Sequence, residues 1–448
     1  MQSPYHPGTG ARPDVLVGRD AVFSQAQALV ERVRSTGRGG AAALVLVGVR
    51  GSGKTVSLDV IGERARAAGF VVAATTFSSV TNAGQEVARA VGQAMAPFQG
   101  LGAQQWERIR QWLAGWNVEV SAGVVKVSGN LAGDSKRDTV TAGSSAALAD
   151  LLSESAAVAA ERQGAGLLLL VDEVQEAGLE DLAVVANAIQ LTVRSGAPLL
   201  VVAAGLPNAP AKLMKAASFA ERFDYRELKR LTSAESEIAL LRPAAQLEVG
   251  WAAEAAALAL DFAAGSPYMI QKVGDEVWRV AGPRRGGRIT HDHVTTAVTE
   301  VLESLASGMF KGRLEKATPA QRDFVVALAQ SLERDGSAAT SVVGARLGKT
   351  ATQMSRDRQA LIDKGLIAAE GYGRLSFTMP GFAEYVLSVV DDDAAAQTPT
   401  SKRRSCPHVR SRGCRLREAL TVATLPAEQP ALSTTGFGSI LVALASAA

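Results

Sequence analysis

The run Leu44-Val45-Leu46-Val47 leads straight into Gly48-Val49-Arg50-Gly51-Ser52-Gly53-Lys54-Thr55, and the spacing G-x-x-x-x-G-K-T specifies a site for phosphate. Glycines at 48, 51 and 53 let the backbone turn without a Cβ in the way. Successive N–H groups along Val49, Arg50, Ser52 and Val56 can then converge on phosphate oxygens where a helix begins. Lys54 adds a mobile cation for β- and γ-phosphates, and Thr55 a hydroxyl for Mg²⁺. A second pair of residues, Asp172-Glu173, closes the apolar run 167–171. Asp172 suits the Mg²⁺ water shell opposite Thr55, and Glu173 suits a base that polarises the water attacking a γ-phosphate. Two acids also suit an ordinary first helical turn, and a Gly-rich turn can precede a lysine by chance. Both motifs in one chain, the first between a strand and a helix, favour a triphosphate site.

These side chains need a scaffold, and its elements are legible. Residues 44–47, 70–77, 167–171 and 198–205 are apolar or β-branched runs of strand length, suited to a parallel sheet covered on both faces whose strand ends hold the ligand. Helical spacing predicts a helix with Phe23, Ala26, Leu29, Val30 and Val33 on one side, another after the phosphate loop, and a third over 146–160. Asn208 follows the 198–205 run and is a loose candidate for a polar contact to the γ-phosphate, although loop polarity explains it equally well. Arg222 precedes a last strand near 223–228. It suits a finger reaching a neighbouring subunit's nucleotide, or equally a partner for Glu221 or another local carboxylate. Between 93 and 145 lies an insertion with Trp106, Trp112 and Trp116, holding either a small hairpin or a mobile loop.

Four stretches together, Gly18-Arg19-Asp20, the phosphate loop, Val171-Asp172-Glu173-Val174-Gln175 and Gly265-Ser266-Pro267-Tyr268-Met269-Ile270-Gln271, resemble the AAA+ ATPases of the origin-recognition type. The resemblance covers roughly 15–390. It implies an α/β P-loop fold with an added strand in its parallel sheet (residues 15–231), an α-helical lid (232–307) and a winged helix (308–390). It implies ATP with Mg²⁺ as ligands, and Val17, Gly18 and Arg19 near the adenine. Where origin-type proteins often place a lid arginine, this chain has Tyr268. In the lid, Thr232 and Glu235 form a capping box, and Pro243 is expected to end the helix that they start.

The stretch 318–378 reads as helix, helix, turn, helix and hairpin, the order of a winged helix. At 100° per residue, Ala351, Met354, Leu361 and Ile362 of the third helix turn inward, leaving Thr352, Gln353, Arg356 and Gln359 outward for the phosphates and base edges of double-stranded DNA. Lys349 and Arg374 flank that helix and suit backbone contacts. Arg358 falls among the apolar positions. Such modules also bind proteins, so a signalling or scaffold ATPase is the alternative to a DNA-coupled one.

Composition sets the outer limits. The 448 residues are 47% hydrophobic and 20% charged, which allows two or three domains, and a net charge of +3 confines any nucleic-acid contact to a local patch. The only two cysteines, Cys406 and Cys414, argue against a disulfide scaffold and fit a cytoplasmic location. No run approaches the roughly 18 apolar residues of a membrane span. Residues 1–14 and 391–448 are expected to be disordered, the latter carrying Lys402-Arg403-Arg404 and Cys406, His408 and Cys414 without metal spacing. A role for Arg222 between subunits implies a homo-oligomer.

Overall fold

Every side chain of the run 166–172 is buried, and only a strand covered on both faces satisfies that pattern. The computed structural model describes residues 1–8, 10–39, 43–99, 103–121, 124–127, 144–371 and 373–397. In chain order the first part comprises α1 (Asp20–Thr36), β1 (Leu44–Val47), α2 (Lys54–Ala67), β2 (Phe70–Thr76), α3 (Ala83–Met95), α4 (Ala103–Ala114), β3 (Val118–Ser121), β4 (Val124–Val127), α5 (Ser145–Gln163), β5 (Gly166–Asp172), α6 (Leu179–Arg194), β6 (Leu199–Gly205), α7 (Ala209–Ala216) and β7 (Asp224–Glu227). Five strands form one parallel sheet in the order β2-β5-β6-β1-β7. The added strand, β6, therefore lies between the phosphate-loop strand and the acid strand.

Alternation along the strands sorts the core into two layers. Leu167, Leu169, Val171 and Val201 meet α3, α5 and α6 on one face, while Leu168, Leu170, Leu200 and Val202 meet α1 and α2 on the other. The insertion holds a helix, α4, in addition to the hairpin β3–β4. Ile109, Leu113, Trp116 and Val118 join the first layer. The Trp116 ring fills the space over Gly84, where a Cβ would stand 2.4 Å from it, so this segment is anchored in the core.

The lid comprises α8 (Ser233–Gln246), β8 (Gly250–Trp251), α9 (Ala253–Ala263), α10 (Pro267–Ala281), β9 (Arg288–Ile289) and α11 (His291–Leu305). Thr232 and Glu235 form the expected capping box. Pro243 does not end α8. It occupies the last turn with its ring buried, where a missing N–H costs a single intrahelical bond, and the helix runs on to Gln246.

α11 continues without a break through a π-helical turn, Ala306–Phe310, into α12 (Lys311–Glu315). There follow α13 (Pro319–Ala329), β10 (Ser337–Ala339), α14 (Thr340–Leu347), α15 (Ala351–Asp363), β11 (Ile367–Glu370), β12 (Arg374–Phe377) and α16 (Phe382–Gln397). β10, β12 and β11 make an antiparallel sheet in that order. Phe382 packs edge-on against Phe310 and Phe377, so α16 closes the module on the π turn. α16 also carries helix past 391, where the sequence suggests disorder. The run Ala394-Ala395-Ala396 has high helix propensity. Lys402, Arg403, Arg404, Cys406, His408 and Cys414 lie outside the described residues.

Residues 1–14 are a further departure from expectation. Tyr5 is 2% exposed, its hydroxyl donates to the Leu240 carbonyl at 2.5 Å, and its ring meets Trp278 edge-on. Burial pushes the phenol's pKa up. Gly274 makes room, since a Cβ there would come within 2.6 Å of the Tyr5 ring. The signal was missed because an isolated aromatic in a Pro- and Gly-rich stretch has no periodicity.

Candidate functional site

The phosphate loop is built as its glycines require. Gly51 and Gly53 have φ of 80° and 87°, and Gly53 is the N-cap of α2. The first-turn N–H groups of α2 lack intrahelical partners and sit at the positive end of its dipole. Lys54 Nζ folds back to donate to the carbonyls of Gly48 and Val49 at 3.0 and 3.1 Å. Burial pushes its pKa down, against the opposing pull of Glu173 and Asp172.

The two motifs meet. Thr55 Oγ1 donates to Asp172 Oδ2 at 2.6 Å, across a sequence separation of 117 residues, while Asp172 Oδ1 accepts from the Glu173 N–H at 2.8 Å. Glu173 is in the left-handed region at φ 52°, strained for a residue with a side chain. Buried Gln175 stabilises that bend. Its amide nitrogen donates to Glu173 Oε2 and its amide oxygen accepts from the Leu206 N–H at 2.9 Å, at the tip of β6. Gln175 thus ties the acid to the added strand, a role that its position in sequence does not reveal.

A cavity of about 320 Å³ opens over the loop, of the size that takes a small-molecule ligand. Of the expected ligand-binding residues, Val17, Arg19, Arg50, Gly51, Ser52, Gly53, Lys54, Thr55, Val56, Glu173 and Tyr268 line it. Gly18, Gly48, Val49 and Asp172 stand behind that lining, while Asn208 and Arg222 are apart from it. Asn208 Oδ1 is buried without a partner, and Arg222 is exposed with no ion pair to Glu221 among the described residues. Arg19 donates to the carbonyls of Gly18, Ser52 and Lys229, pinning the loop to the lid linker. The Tyr268 N–H donates to the Gly51 carbonyl at 3.2 Å, so the lid rests directly on the phosphate loop.

Sequence reasoning missed two walls of the cavity. One is formed by His6, Pro7, Gly8, Gly10, Ala11 and Pro13, held on one side by Tyr5 in the lid and on the other by Arg12, which pairs with Glu63 of α2 at 2.5 Å. The other comes from the C-terminal half, where Met309, Arg313 and Met379 face the loop. Neither has a local sequence signal, because both reach the site only through tertiary packing.

One hydroxyl and one carboxylate in contact, beside a lysine and a helix N-terminus, fit Mg²⁺, which takes few protein ligands and draws the rest from phosphates and water. No cluster of three acidic, His or Cys side chains competes for a metal among the described residues.

On α15, Thr352, Gln353, Arg356 and Gln359 are exposed and Met354 and Leu361 buried, but Ala351 is exposed and Ile362 only half-buried. Ala351 directly follows the Thr350 N-cap, before the helix has turned onto the core. Three of the DNA candidates have internal partners, Gln359 among them, since its amide nitrogen donates to Asp363 Oδ1 at 2.9 Å. Gln353 completes a capping box with Thr350, and Arg374 pairs with Glu333 and Asp335 and donates to Ser337. Arg374 is thereby neutralised within its own module, while Lys349 and Arg356 have no ion pair among the described residues. The Arg358 Nε is buried without a partner. No described helix is long and apolar enough to cross a membrane.

The AAA ATPase domain family matches residues 15–202, and a domain of unknown function, DUF8462, matches residues 307–386. No curated protein matches the sequence. Among solved structures, the Walker-type ATPase paby2304 of Pyrococcus abyssi is similar at 16% identity and a TM-score of 0.55, over 83% of this chain and 96% of its own. The ORC2 protein of Aeropyrum pernix, solved as ADPNP–ADP complexes, is similar at 14% identity and a TM-score of 0.51, over 87% of this chain and 98% of its own. At these identities the likeness is one of fold.

Proposed function

We propose that this chain, whose residues 15–202 match the AAA ATPase domain family, is an AAA+ ATPase of the origin-recognition-like type that binds and hydrolyses ATP in the cavity between phosphate loop and lid. The observation that carries this reading is the 2.6 Å contact of Thr55 with Asp172 beside Lys54 and Glu173. Mg²⁺, held by Thr55 and the water shell on Asp172, would neutralise phosphate charge when bound. The α2 N-terminus and Lys54 bind and orient the β- and γ-phosphates. Glu173 takes the proton of the water that attacks the γ-phosphorus, the bond to the β,γ-bridging oxygen breaks, and ADP and phosphate leave. Val17 and Arg19, with His6, Pro7 and Gly8, also line the cavity and would hold the base.

The C-terminal module is read as a winged helix that couples this nucleotide state to double-stranded DNA through Lys349, Thr352, Arg356 and Gln359. Arg222, exposed beyond its own cavity, suits a neighbour's nucleotide in a homo-oligomer. The internal pairing of Arg374 favours a second reading, in which the module docks a protein and the chain is a signalling or scaffold ATPase.

Phosphate release from Mg-ATP tests the catalytic assignment. Glu173→Gln is expected to lower turnover by about 100-fold or more while holding ATP affinity near that of wild type. Equal turnover in the two proteins would remove Glu173 from the mechanism.

A further inference from the structure

A helix that leaves the lid at 305 with ordinary periodicity would present different side chains to the cavity from those that face it. The π turn, Ala306–Phe310, widens one turn by a residue and rotates all that follows by about 100°. Met309 within the turn and Arg313 after it, four apart, both line the cavity. Residues 307–386 match one domain family, so this arginine belongs to the C-terminal module and the π turn stands at that module's edge.

Arg313 is half-buried and makes no hydrogen bond or ion pair among the described residues. Arg50, a like charge on the same cavity wall, acts on it, as does Tyr268. Burial and Arg50 together push the guanidinium pKa down to about 10, still charged at neutral pH. Arg50 itself reaches a carboxylate only loosely, Glu176 at 3.9 Å. Three guanidiniums, Arg19, Arg50 and Arg313, and Lys54 thus face one cavity whose lining holds a single carboxylate, Glu173, and of the three only Arg19 is satisfied, by three carbonyls. Two like charges, Arg313 without a counter-ion and Arg50 with only a loose one, are costly when partly desolvated unless an anion comes between. The direction along the ligand follows from Lys54, whose Nζ lies at the Gly48 and Val49 carbonyls next to Arg50. A loop lysine serves the β- and γ-phosphates, so Arg313 stands at the terminal-phosphate end.

We propose that Arg313 is a phosphate-reading residue, supplied to the nucleotide site by the C-terminal module, which contacts the terminal phosphate of a nucleoside triphosphate and so couples that phosphate to the helix leading into α13. This rests on the reading of the cavity as an ATP site. A diphosphate leaves Arg313 without its contact, and the module senses the difference through the π turn.

The test uses the full chain and fluorescent Mg-ATPγS and Mg-ADP, titrated into wild type, Arg313→Ala, Arg313→Lys and Lys54→Ala, with hydrogen exchange over residues 306–329. Arg313→Ala is expected to weaken ATPγS by about 10- to 100-fold and ADP by less than about 3-fold, the scale of one charged hydrogen bond. Arg313→Lys should recover part of the difference, and the exchange protection that ATPγS gives wild type over ADP should vanish in Arg313→Ala. Equal losses for the two nucleotides, or no loss in a variant with wild-type melting, overturn the proposal. If Lys54→Ala binds as wild type does, or wild type binds neither nucleotide, the site reading itself fails and this inference with it.

Discussion

Glu173 is held where it is by a neighbour two residues on. Its left-handed backbone, of order 1–3 kcal/mol in cost, is offset by the hydrogen bond from Gln175, which is itself fixed by the Leu206 N–H. Gln175→Ala is therefore expected to lower the turnover of ATP about 10-fold while leaving its affinity within a factor of about 2, because Gln175 does not line the cavity. Steady-state phosphate release alongside nucleotide titration separates the two quantities, and a matching loss of affinity would show that Gln175 shapes the pocket instead. That the loop from Gly48 to Thr55 meets Asp172 and Glu173 was legible in sequence because each motif lies in a local strand-to-turn context that fixes its geometry. Gln175 was not, since its role depends on where β6 ends. Arg374 misled for the same reason: Glu333 and Asp335 neutralise it across 41 and 39 residues.

Among elements, the strands and the helix starts could be read in advance. Apolar runs of strand length and the capping boxes at Thr232, Thr318 and Thr350 carry their signals within a few residues. The helix α4 does carry helical spacing, Trp106, Ile109 and Leu113, which the reading of 93–145 as a hairpin or loop passed over, whereas the stretch 1–14 has none and gains order from what it packs against. The latter stretch spans the cavity mouth from the lid to α2, so its anchor has a measurable effect. Tyr5→Ala removes a buried ring and the hydrogen bond to Leu240, a loss of about 3 kcal/mol in local stability. Thermal melting and hydrogen exchange should show 1–14 and the facing turns of α8 and α10 exchanging faster, with ATP binding weakened. Unchanged protection would mean that the strap contributes nothing to the lid.

At the scale of the whole molecule, the described residues of Met1–Pro399 form one compact unit in which core, lid and C-terminal module all contribute to a single cavity. Nucleotide state and module surface are thus properties of one body. If that surface takes double-stranded DNA, anisotropy titrations should show affinity falling steeply with salt, and Arg356→Ala should weaken binding while flattening the salt slope by about one. Absence of binding at low salt, with and without Mg-ATP, favours the protein-docking alternative. All of this presupposes that the phosphate loop and the acid strand end enclose one triphosphate. Isothermal titration of Mg-ATP into wild type and Lys54→Ala tests that most directly. The account predicts one saturable site per wild-type chain, weakened about 10- to 100-fold or more by Lys54→Ala with the melting temperature of the free protein retained. Equal affinity in the two proteins, or no heat of binding in wild type, would contradict it.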